Sequence, residues 1–537
     1  MRPHLHTITR RSMLTTVLGS AGAVLAACSA PASAPVPSTP AAGAGAAKPT
    51  AAAAPATGGS PAAAAASPAA APAGASPAAA AASPAAASAS PAAAAGASPV
   101  AAASPAAAAK PMTAPVIAGT YEVSFLTTQT NAADVKIYEE LAAAFNKQYP
   151  NLTVKIAAES GTNIDQKLLT YITAGTLPDI VQTSDNFAKP YKDNGVSQNM
   201  IPFAEKYGFP YQDFDPTFLN LGIIDGELHM LPKQGDVIIP YINLRMAKEA
   251  GVTPPLDFDP VKDPNGWTWA EFETLYKRLT VDQNGKRGDE AGFDKENVVQ
   301  YGASVPVDQW YIYVPLVLAE GGQFVSDDLS KSMLNSPAGI AAFRKLTQPM
   351  LDGHWAPLTL IQTMNNQAGN VFASGQSAIS LMQRLWCSTL RATLTDDFDV
   401  MHFPKGPARR VAGMGTFGFA LTAKSKNPDA AWAFLQFMYG DEGMRIITSS
   451  YASVPAMQRY YNSPFWRDLP GPPYHNNVFV DAFAYGTTPP RIPFYSTGPF
   501  RQAVTDGIVA IILGRSGVEE VVANVDRELN TILQARR

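Results

Sequence analysis

The chain has 537 residues, of which 40 are Lys or Arg and 44 are Asp or Glu, and its net charge is −4 at pH 7. All the acidic residues follow residue 118, so the last 419 residues hold 35 basic and 44 acidic side chains, a net charge of −9. Because no basic footprint stands out, this balance argues against nucleic acid as the main partner. A length of 419 residues predicts two lobes or domains rather than one core.

The N-terminus has the pattern of an export signal. Arg10 and Arg11 precede an apolar run over 13–27, and Cys28 follows. About 14 apolar residues are too few to cross a hydrocarbon core, which needs about 20. Residues 1–27 are therefore predicted to form a signal peptide rather than a membrane helix.

Two short motifs refine that prediction. Residues 9–14 resemble a twin-arginine signal, and Leu25-Ala26-Ala27-Cys28 resembles a bacterial lipobox. Cleavage before Cys28 and acylation of its thiol would anchor the protein by lipid to the outer face of the cytoplasmic membrane. A plain secretory leader with an incidental cysteine is the alternative, and the general export route also tolerates paired arginines.

The segment that follows is built from Ala, Pro, Ser and Gly. Between residues 29 and 118 the charged residues are Lys48 and Lys110. Such a composition cannot bury enough apolar surface to offset its chain entropy, so residues 28–118 are predicted to be a lipidated Cys28 and a disordered linker. Recurrent proline makes this linker a semi-stiff spacer that holds a folded module away from a membrane. A low-complexity expansion of no selected length is the alternative.

Strands and helices alternate at the start of the folded module. The apolar pattern predicts strands at 121–127, 152–156 and 179–182, and helices at 131–149 and 164–174. This order means right-handed crossovers and a mainly parallel sheet. Ligands bind beyond the carboxyl ends of such strands, which points to the loops 127–130 and 183–186 and hence to Gln129, Ser184 and Asp185.

Further along the chain, turn and capping residues indicate where strands and helices begin and end. A turn leads into a strand over 225–232, and a buried strand is predicted over 237–243, followed by a helix that Gly251 ends. Thr268 is a plausible N-cap with Glu271 at the capping-box position.

The order of several motifs resembles the family 1 extracellular solute-binding proteins of ABC importers. The matching segments span nearly all of residues 119–537 and are 226–232, 241–243, 250–255, 269–272, 315–322, 372–386, 415–435, 454–456 and 517–533. Among them are Gly226-Glu227-Leu228-His229-Met230-Leu231-Pro232 and Asn427-Pro428-Asp429-Ala430-Ala431-Trp432. Each segment alone is weak evidence, but their order is specific.

The resemblance implies a two-lobed α/β periplasmic-binding-protein-like fold with a hinge and a ligand cleft between the lobes. By analogy lobe one holds about 119–236 and 414–460, and lobe two about 240–412 and 465–537. Ligand binding would close the lobes, and the closed monomer would deliver its solute to the transmembrane subunits of an ABC permease.

A sugar site needs aromatic platforms with polar groups at their edge. Trp310 and Tyr311 are candidates, and Tyr311 matches an aromatic residue that stacks on sugar in the maltodextrin-binding relatives. Trp386 falls within a residue of a stacking Trp of those relatives, and Phe500 lies near another of their aromatic contacts. Alternatively these rings belong to the core of lobe two; Tyr311 and Tyr313 would share a face if their segment is a strand.

The polar candidates flank the predicted crossover between the lobes. Asp236 matches a ligand-contacting carboxylate of the relatives, with Gln234 and Lys233 beside it as possible hydroxyl partners, although an Asp near a hinge can also cap a turn. Arg384 could bind an anionic group. The glycine-flanked loop with Gly415 and Phe417 would let the backbone approach a ligand, or would serve a tight turn.

Motifs for catalysis and metals are sparse. The sequence has no Gly-x-Ser-x-Gly elbow, His-Glu-x-x-His, phosphate loop or Cys-x-x-Cys. Cys387, beside Trp386, is expected to be a buried apolar residue rather than a nucleophile. The acidic loop 282–296 invites a calcium site, but its glycine stands at the fourth place instead of the sixth, which favours a solvated hairpin.

These observations predict a lipid-anchored substrate-binding component of an ABC importer, with a carbohydrate as ligand and with no cofactor, metal or catalytic residue. Two alternatives stay open. One is a surface-anchored glycoside hydrolase, in which a carboxylate pair would flank the glycosidic bond. The other is a binding protein of the same fold for a non-sugar ligand, such as a polyol phosphate or a peptide.

Overall fold

Short strands and helices alternate from Tyr121 to Gln534. The computed structural model describes residues 112–130, 132–159, 164–490, 492 and 498–535, without the side chains of 133, 164–166 and 169. The strands are β1 (Tyr121–Thr127), β2 (Leu152–Ala158), β3 (Ile180–Ser184), β4 (Ile223–Ile224), β5 (Glu227–Leu228), β6 (Leu231–Pro232), β7 (Gln234–Val237), β8 (Ile239–Asn243), β9 (Val281–Asp282), β10 (Val298–Ser304), β11 (Ser377–Met382), β12 (Phe398–Val400), β13 (Ala412–Gly415), β14 (Phe417–Leu421), β15 (Val454–Pro455) and β16 (Gly486–Thr487).

The α-helices range from four to 17 residues in length. They are α1 (Ala132–Gln148), α2 (Ile164–Ala174), α3 (Ala188–Asp193), α4 (Ile201–Tyr207), α5 (Pro216–Gly222), α6 (Leu244–Ala250), α7 (Trp269–Leu279), α8 (Trp310–Ala319), α9 (Pro337–Leu351), α10 (Leu358–Thr363), α11 (Ala368–Ala373), α12 (Trp386–Thr393), α13 (Pro428–Met438), α14 (Asp441–Ser449), α15 (Pro464–Arg467), α16 (Asn477–Asp481), α17 (Gly498–Ile512) and α18 (Val518–Gln534). Three 3₁₀ turns lie at Tyr211–Asp213, Gln458–Tyr460 and Ala482–Tyr485.

The described residues belong to one compact unit. The predicted signal peptide, Cys28 and most of the linker lie outside the described residues. Residues 112–118, which the composition assigned to the linker, contact the folded module: the Thr113 amide donates to the Tyr207 carbonyl at 2.9 Å, and Gln436 Nε2 donates to the Thr113 carbonyl at 3.0 Å. Contact with the module therefore begins before residue 119.

The first sheet has the strand order β2-β1-β3-β14-β6. Strand β1 pairs in parallel with both β2 and β3, which confirms the parallel arrangement predicted from the alternating pattern. Strand β14 joins antiparallel to β3 and β6. One face packs aromatic rings such as Phe125, Phe145 and Phe434, and the other buries a smaller cluster that includes Leu168 and Val181. Both faces are thus covered, as in α/β lobes.

The second sheet has the order β12-β8-β11-β10-β9 and forms the other lobe. Only β10 and β11 pair in parallel among its described strands; the other pairs are antiparallel. Its core continues through α8, α9, α17 and α18, where buried residues include Leu316, Phe343, Ile508 and Leu529. The C-terminal helix α18 runs from Val518 to Gln534 and so covers nearly all of the matching segment 517–533.

A third sheet, the crossover sheet, joins the two lobes with the order β15-β7-β13-β16. Strand β7 lies between β6 of the first sheet and β8 of the second, and β13 leads back into β14 of the first sheet. These two passages pair antiparallel, with Met414 opposite Val237 and Gly415 opposite Asp236. The strand predicted over 237–243 is therefore two strands that meet at Ile238, because the chain leaves one sheet there and enters another.

Local signals set several element ends. Thr268 caps α7, and Glu271 closes a capping box with it, as the sequence predicts. Gly251 ends α6 at φ 67°, a left-handed conformation that glycine adopts without strain.

The segment around Tyr311 and Tyr313 is the helix α8 rather than a strand, so the condition under which these tyrosines would share a face is not met. Its residues are apolar on nearly every side because the helix is buried, and this hides the helical period. Side chains two positions apart on a helix are rotated by about 200° about its axis, so the two tyrosines point to different sides of α8.

Candidate functional site

A cavity of about 330 Å³ lies between the two lobes, against the crossover sheet. It is lined by residues that follow β3, by β7 and β13, by the start of α8 and by one turn of α17. The lining residues are Ser184, Asp185, Asn186, Phe187, Asp236, Ile238, Gln309, Trp310, Tyr311, Gln383, Gly413, Met414, Gly415, Thr416, Phe417 and Arg501. The volume is at the small end of the range for ligand pockets, about 300–1,000 Å³.

Asp185 stands just past the carboxyl end of β3, where the parallel sheet predicts a ligand group. Its backbone amide donates to the Thr416 carbonyl at 3.2 Å, and its Oδ1 accepts from the Asn186 amide at 3.0 Å. Its Oδ2 is buried and has no hydrogen-bond partner among the described protein atoms. Burial raises the pKa of Asp185 to about 7 against the opposing effect of these backbone donors.

Asp236 lies on β7 and is 3% exposed. Within the described part of the chain its Oδ1 also lacks a partner. Burial raises the pKa of Asp236 to about 8, the charge of Asp185 adds to this shift, and the charge of Lys233 opposes it. The two carboxyls therefore interact electrostatically, and each has one oxygen available to a ligand.

Two aromatic rings open α8 beside these carboxyls. Trp310 and Tyr311 meet edge to face, with ring centroids 5.9 Å apart and planes at 77°. A Cβ placed on Gly415 would lie 3.9 Å from Trp310 Cζ2 and 3.1 Å from Asp185 Oδ2. Because Gly415 has no side chain, the space between ring and carboxyl stays open. The half-buried Phe417 adds a third ring to the lining.

The structure thus brings seven of the predicted ligand residues into one cavity. They are Ser184, Asp185, Asp236, Trp310, Tyr311, Gly415 and Phe417. Among the lining residues that the sequence did not single out is Arg501, whose Nη2 donates to Asp308 Oδ2 at 2.6 Å. The sequence predicts its neighbour Phe500 as the ligand contact, but Phe500 is buried in the core against Phe324, with ring centroids 6.1 Å apart. Side chains of adjacent helix residues point about 100° apart. The sequence does not determine the rotation of α17 about its axis, and therefore does not show which of the two residues faces the cavity.

Gln129 and Gln234 lie beside a different polar cluster, centred on Lys233. Lys233 Nζ donates to Gln129 Oε1 at 3.2 Å, and Tyr138 donates its hydroxyl to the same oxygen at 2.9 Å. Gln234 Oε1 accepts from Ser453 Oγ at 2.8 Å. Burial lowers the pKa of Lys233 to about 8. Both amides are engaged with protein groups outside the lining of the cavity.

Arg384 is 1% exposed and lies in the second lobe. Its Nη1 donates to Asn476 Oδ1 at 2.6 Å, and its guanidinium carbon lies 4.9 Å from the centre of the Phe479 ring. Trp386 starts α12 and packs on α11, where a Cβ on Gly369 would lie 2.7 Å from its ring. Neither side chain lines the cavity, so their contact with ligand stays a prediction without support from this geometry.

Other predicted features are buried or bonded locally. Cys387 is fully buried, as expected, and contacts the Tyr241 hydroxyl at 3.2 Å. Asp282 accepts backbone hydrogen bonds from Asn284, Lys286 and Asp294, which makes its loop a closed turn. Across the described residues, no group of three or more His, Cys, Asp or Glu is placed to hold a metal ion.

The lobes, the crossover sheet and the cavity between them can be compared with known proteins. The sequence profile of the bacterial extracellular solute-binding proteins matches residues 129–445, more than half of the chain. The chain belongs to this family. Its members work outside the cytoplasm, as the family description states. No helix in the described part of this solute-binding protein is long and apolar enough to span a membrane.

Three similar proteins illustrate the match of this solute-binding protein. The first is an ABC substrate-binding protein of Listeria monocytogenes, solved with cycloalternan, at TM-score 0.65 and 19% identity over 77% of this chain and 99% of that one. The second is the GacH receptor of Streptomyces glaucescens, solved with and without acarbose, at TM-score 0.62 and 20% identity over 77% and 99% of the two chains. A Brucella abortus protein whose name describes a binding protein is 21% identical over 427 residues, 77% of this chain and 93% of that protein.

These likenesses show the two-lobed fold that the motif order implied. The cavity of this solute-binding protein lies where the two lobes meet, and residues from both lobes and from both passages of the crossover sheet line it. Movement of one lobe relative to the other would therefore change the shape of the cavity.

Proposed function

We propose that the protein is the substrate-binding component of an ABC importer and that it captures a carbohydrate in the cavity between its lobes. The observation that carries this proposal is the placement of Trp310 and Tyr311 beside Asp185 and Asp236. Rings supply an apolar platform for a sugar face, and carboxylate oxygens accept hydrogen bonds from sugar hydroxyls. Buried carboxyl oxygens without partners cost stability unless a ligand satisfies them.

The relatives support the same ligand class. The structures of similar fold include complexes with cycloalternan, acarbose and maltose. A polyol phosphate is the weaker candidate, since the cavity contains two carboxyls and its one lining arginine, Arg501, is already paired with Asp308.

Transport would depend on closure of the two lobes over the solute. The strands β7 and β13 connect the lobes side by side, so a small rotation at these strands closes or opens the cavity. We propose the lobe bounds of about 119–236 with 414–460 and about 240–412 with 465–537 as the moving bodies. The closed form would dock as a monomer on the transmembrane subunits of a permease, without a covalent step on any residue.

We further propose that the protein is exported and anchored by lipid at Cys28, with the Ala-Pro-Ser linker as spacer. An anchored solute trap stays near its permease, and the long linker leaves it free to dock. In the native host, Cys28→Ser should abolish labelling by a radioactive fatty acid and release the protein from the membrane fraction. Continued labelling or membrane retention of that variant would contradict the anchor.

The test of binding uses the full mature chain and a panel of mono- and oligosaccharides. Calorimetry should detect binding of at least one carbohydrate. The change Trp310→Ala should reduce the binding free energy of that carbohydrate by about 1–3 kcal/mol, as expected for loss of one stacking platform. Trp386→Ala is the matched control, because it removes the same side chain from a position outside the cavity lining. Equal losses in both variants would contradict the site, and lack of binding by every carbohydrate would contradict the ligand class.

The same panel of oligosaccharides can test whether the protein is a glycoside hydrolase. A pair of carboxyls in a sugar-binding cavity is also what a glycoside hydrolase needs. Oligosaccharides incubated with the protein should be recovered with unchanged mass. Cleavage that disappears in Asp185→Asn or Asp236→Asn would show a hydrolase and overturn the importer proposal.

A further inference from the structure

The cavity contains buried hydrogen-bond acceptors that have no partner among the described protein atoms. Its buried side-chain atoms that lack a partner in the described structure are Asp185 Oδ2, Asn186 Oδ1 and Asp236 Oδ1, all of them oxygens. Two donors of the lining are engaged with the protein: Thr416 Oγ1 donates to the Gln234 carbonyl at 2.6 Å, and Arg501 Nη2 donates to Asp308 Oδ2 at 2.6 Å. A ligand that satisfies this site must therefore bring donors.

The two carboxyls lie close together on one face of the crossover sheet. Asp236 on β7 is directly opposite Gly415 on β13, and residues opposite each other in an antiparallel pair point to the same face. On that face, the position of a Cβ on Gly415 lies 3.1 Å from Asp185 Oδ2. The Asp185 carboxyl therefore lies against the face of the crossover sheet from which Asp236 projects.

No cation of the lining faces this pair without a partner of its own. Arg501 is paired with Asp308, and the Tyr311 hydroxyl is neutral because burial raises its pKa. Lys233 lowers the pKa of Asp236 through its charge, yet its ammonium points to Gln129 Oε1 and does not line the cavity. Two buried acids without a contacting cation favour a positively charged ligand group, since a nearby ammonium stabilises the ionised form of both carboxyls.

We propose that the solute carries a basic amine among its hydroxyl groups and that this ammonium binds between Asp185 and Asp236. The inference rests on the proposed carbohydrate function and narrows it to amino sugars and their oligosaccharides. An ammonium fits the site because it has three donors and no acceptor. A hydroxyl offers one donor and no charge, so it leaves the acid pair partly unsatisfied.

The experiment compares sugars that differ at a single position. Gluco and galacto monosaccharides, and their oligosaccharides in two linkages, are each titrated in three forms, with an amine, an acetamide or a hydroxyl at carbon 2. In the calorimeter at neutral pH, the amine form of at least one set should bind about tenfold or more tightly than its hydroxyl and acetamide partners. Hydroxyl forms that bind as tightly as the amine forms would overturn the inference and leave the proposed function standing. No binding by any form in any set would instead count against the carbohydrate function itself.

Variants that remove one charge each test whether the two carboxyls cause the preference for the amine form. Asp236→Asn and Asp185→Asn keep the side-chain shape, and each should bring the affinity for the amine form to within about threefold of the affinity for the hydroxyl form. Asp327→Asn removes an equal charge from an exposed position outside the lining and should leave the ratio unchanged. An unchanged ratio in both cavity variants would overturn the proposal.

A second measurement is independent of those variants. In the wild-type protein the ratio of amine to hydroxyl affinity should rise as the pH increases from about 5 to about 7, because the carboxyls lose protons while the amine keeps its own. A ratio that stays flat or falls over this range would contradict an ammonium between the two carboxyls.

Discussion

The change of Gly415 to alanine tests the geometry of the cavity with one methyl group. The new Cβ would lie 3.1 Å from Asp185 Oδ2 and 3.9 Å from Trp310 Cζ2, so it occupies the space between the carboxyl and the ring. The first distance is tighter than an ordinary contact, so the Asp185 carboxyl must shift by a few tenths of an ångström, and the methyl group takes space that the ligand would fill, at a cost of about 1–3 kcal/mol in binding. Because the clash arises with the group that must receive the ligand, affinity should fall by about 10- to 100-fold.

The same change should leave the fold intact. Gly415 is outside the left-handed region of φ, and both contacts of the added Cβ are with side chains. Replacing glycine by alanine at a compatible position stabilises a protein by about 0.4–1 kcal/mol through the unfolded chain. The melting temperature without ligand should therefore stay equal or rise while affinity falls.

Calorimetry with the tightest carbohydrate of the panel, paired with thermal unfolding, measures the two effects. Gly517→Ala is the control, since a Cβ there meets nothing within 4 Å and the position is outside the cavity lining. Undiminished affinity in Gly415→Ala would refute the cavity as the binding site. A loss of affinity that accompanies a lowered melting temperature would refute the reasoning that the added methyl group acts locally.

Three further predictions concern stability. The pKa values of Asp185 and Asp236 are raised from 3.8 to about 7 and about 8, so the unliganded fold holds protons that the unfolded chain releases. The free energy of unfolding in urea should therefore fall as the pH rises from about 4 to about 8. Asp236→Asn should reduce this dependence on pH, and an equal dependence in the variant would contradict the raised pKa of Asp236. Thr268→Ala should lower the free energy of unfolding by about 1 kcal/mol, because it breaks the capping box with Glu271, whereas an unchanged urea midpoint would show that the cap is dispensable. Tyr313→Phe should leave the free energy of unfolding unchanged or raise it by up to about 1–3 kcal/mol, because within the described structure the Tyr313 hydroxyl is buried without a partner. A clearly lowered melting temperature in this variant would show that the hydroxyl is hydrogen-bonded.

Much of the first lobe was predictable from the sequence because its signals are local. The apolar period set the strands and helices to within a few residues. Parallel order then placed Ser184 and Asp185 at the ligand edge of the sheet, and both line the cavity. The capping box at Thr268 was readable for the same reason, since all its partners lie within four residues.

The parts that the sequence left open depend on tertiary contacts. Trp386 and Phe500 are aromatic residues near the right segments, but the rotation of their helices turns the first onto Gly369 and the second onto Phe324. Gln129 satisfies the buried Lys233, a partner 104 residues away in the chain. No local pattern distinguishes a side chain aimed at ligand from one aimed at another part of the protein.

The most direct test of the central claim is a crystal structure of the protein with the tightest carbohydrate of the panel. Our account predicts an intact sugar in the cavity, with a ring packed on Trp310 or Tyr311 and a donor group within hydrogen-bond distance of Asp185 or Asp236. A sugar bound outside this cavity, or found cleaved within it, would contradict the account.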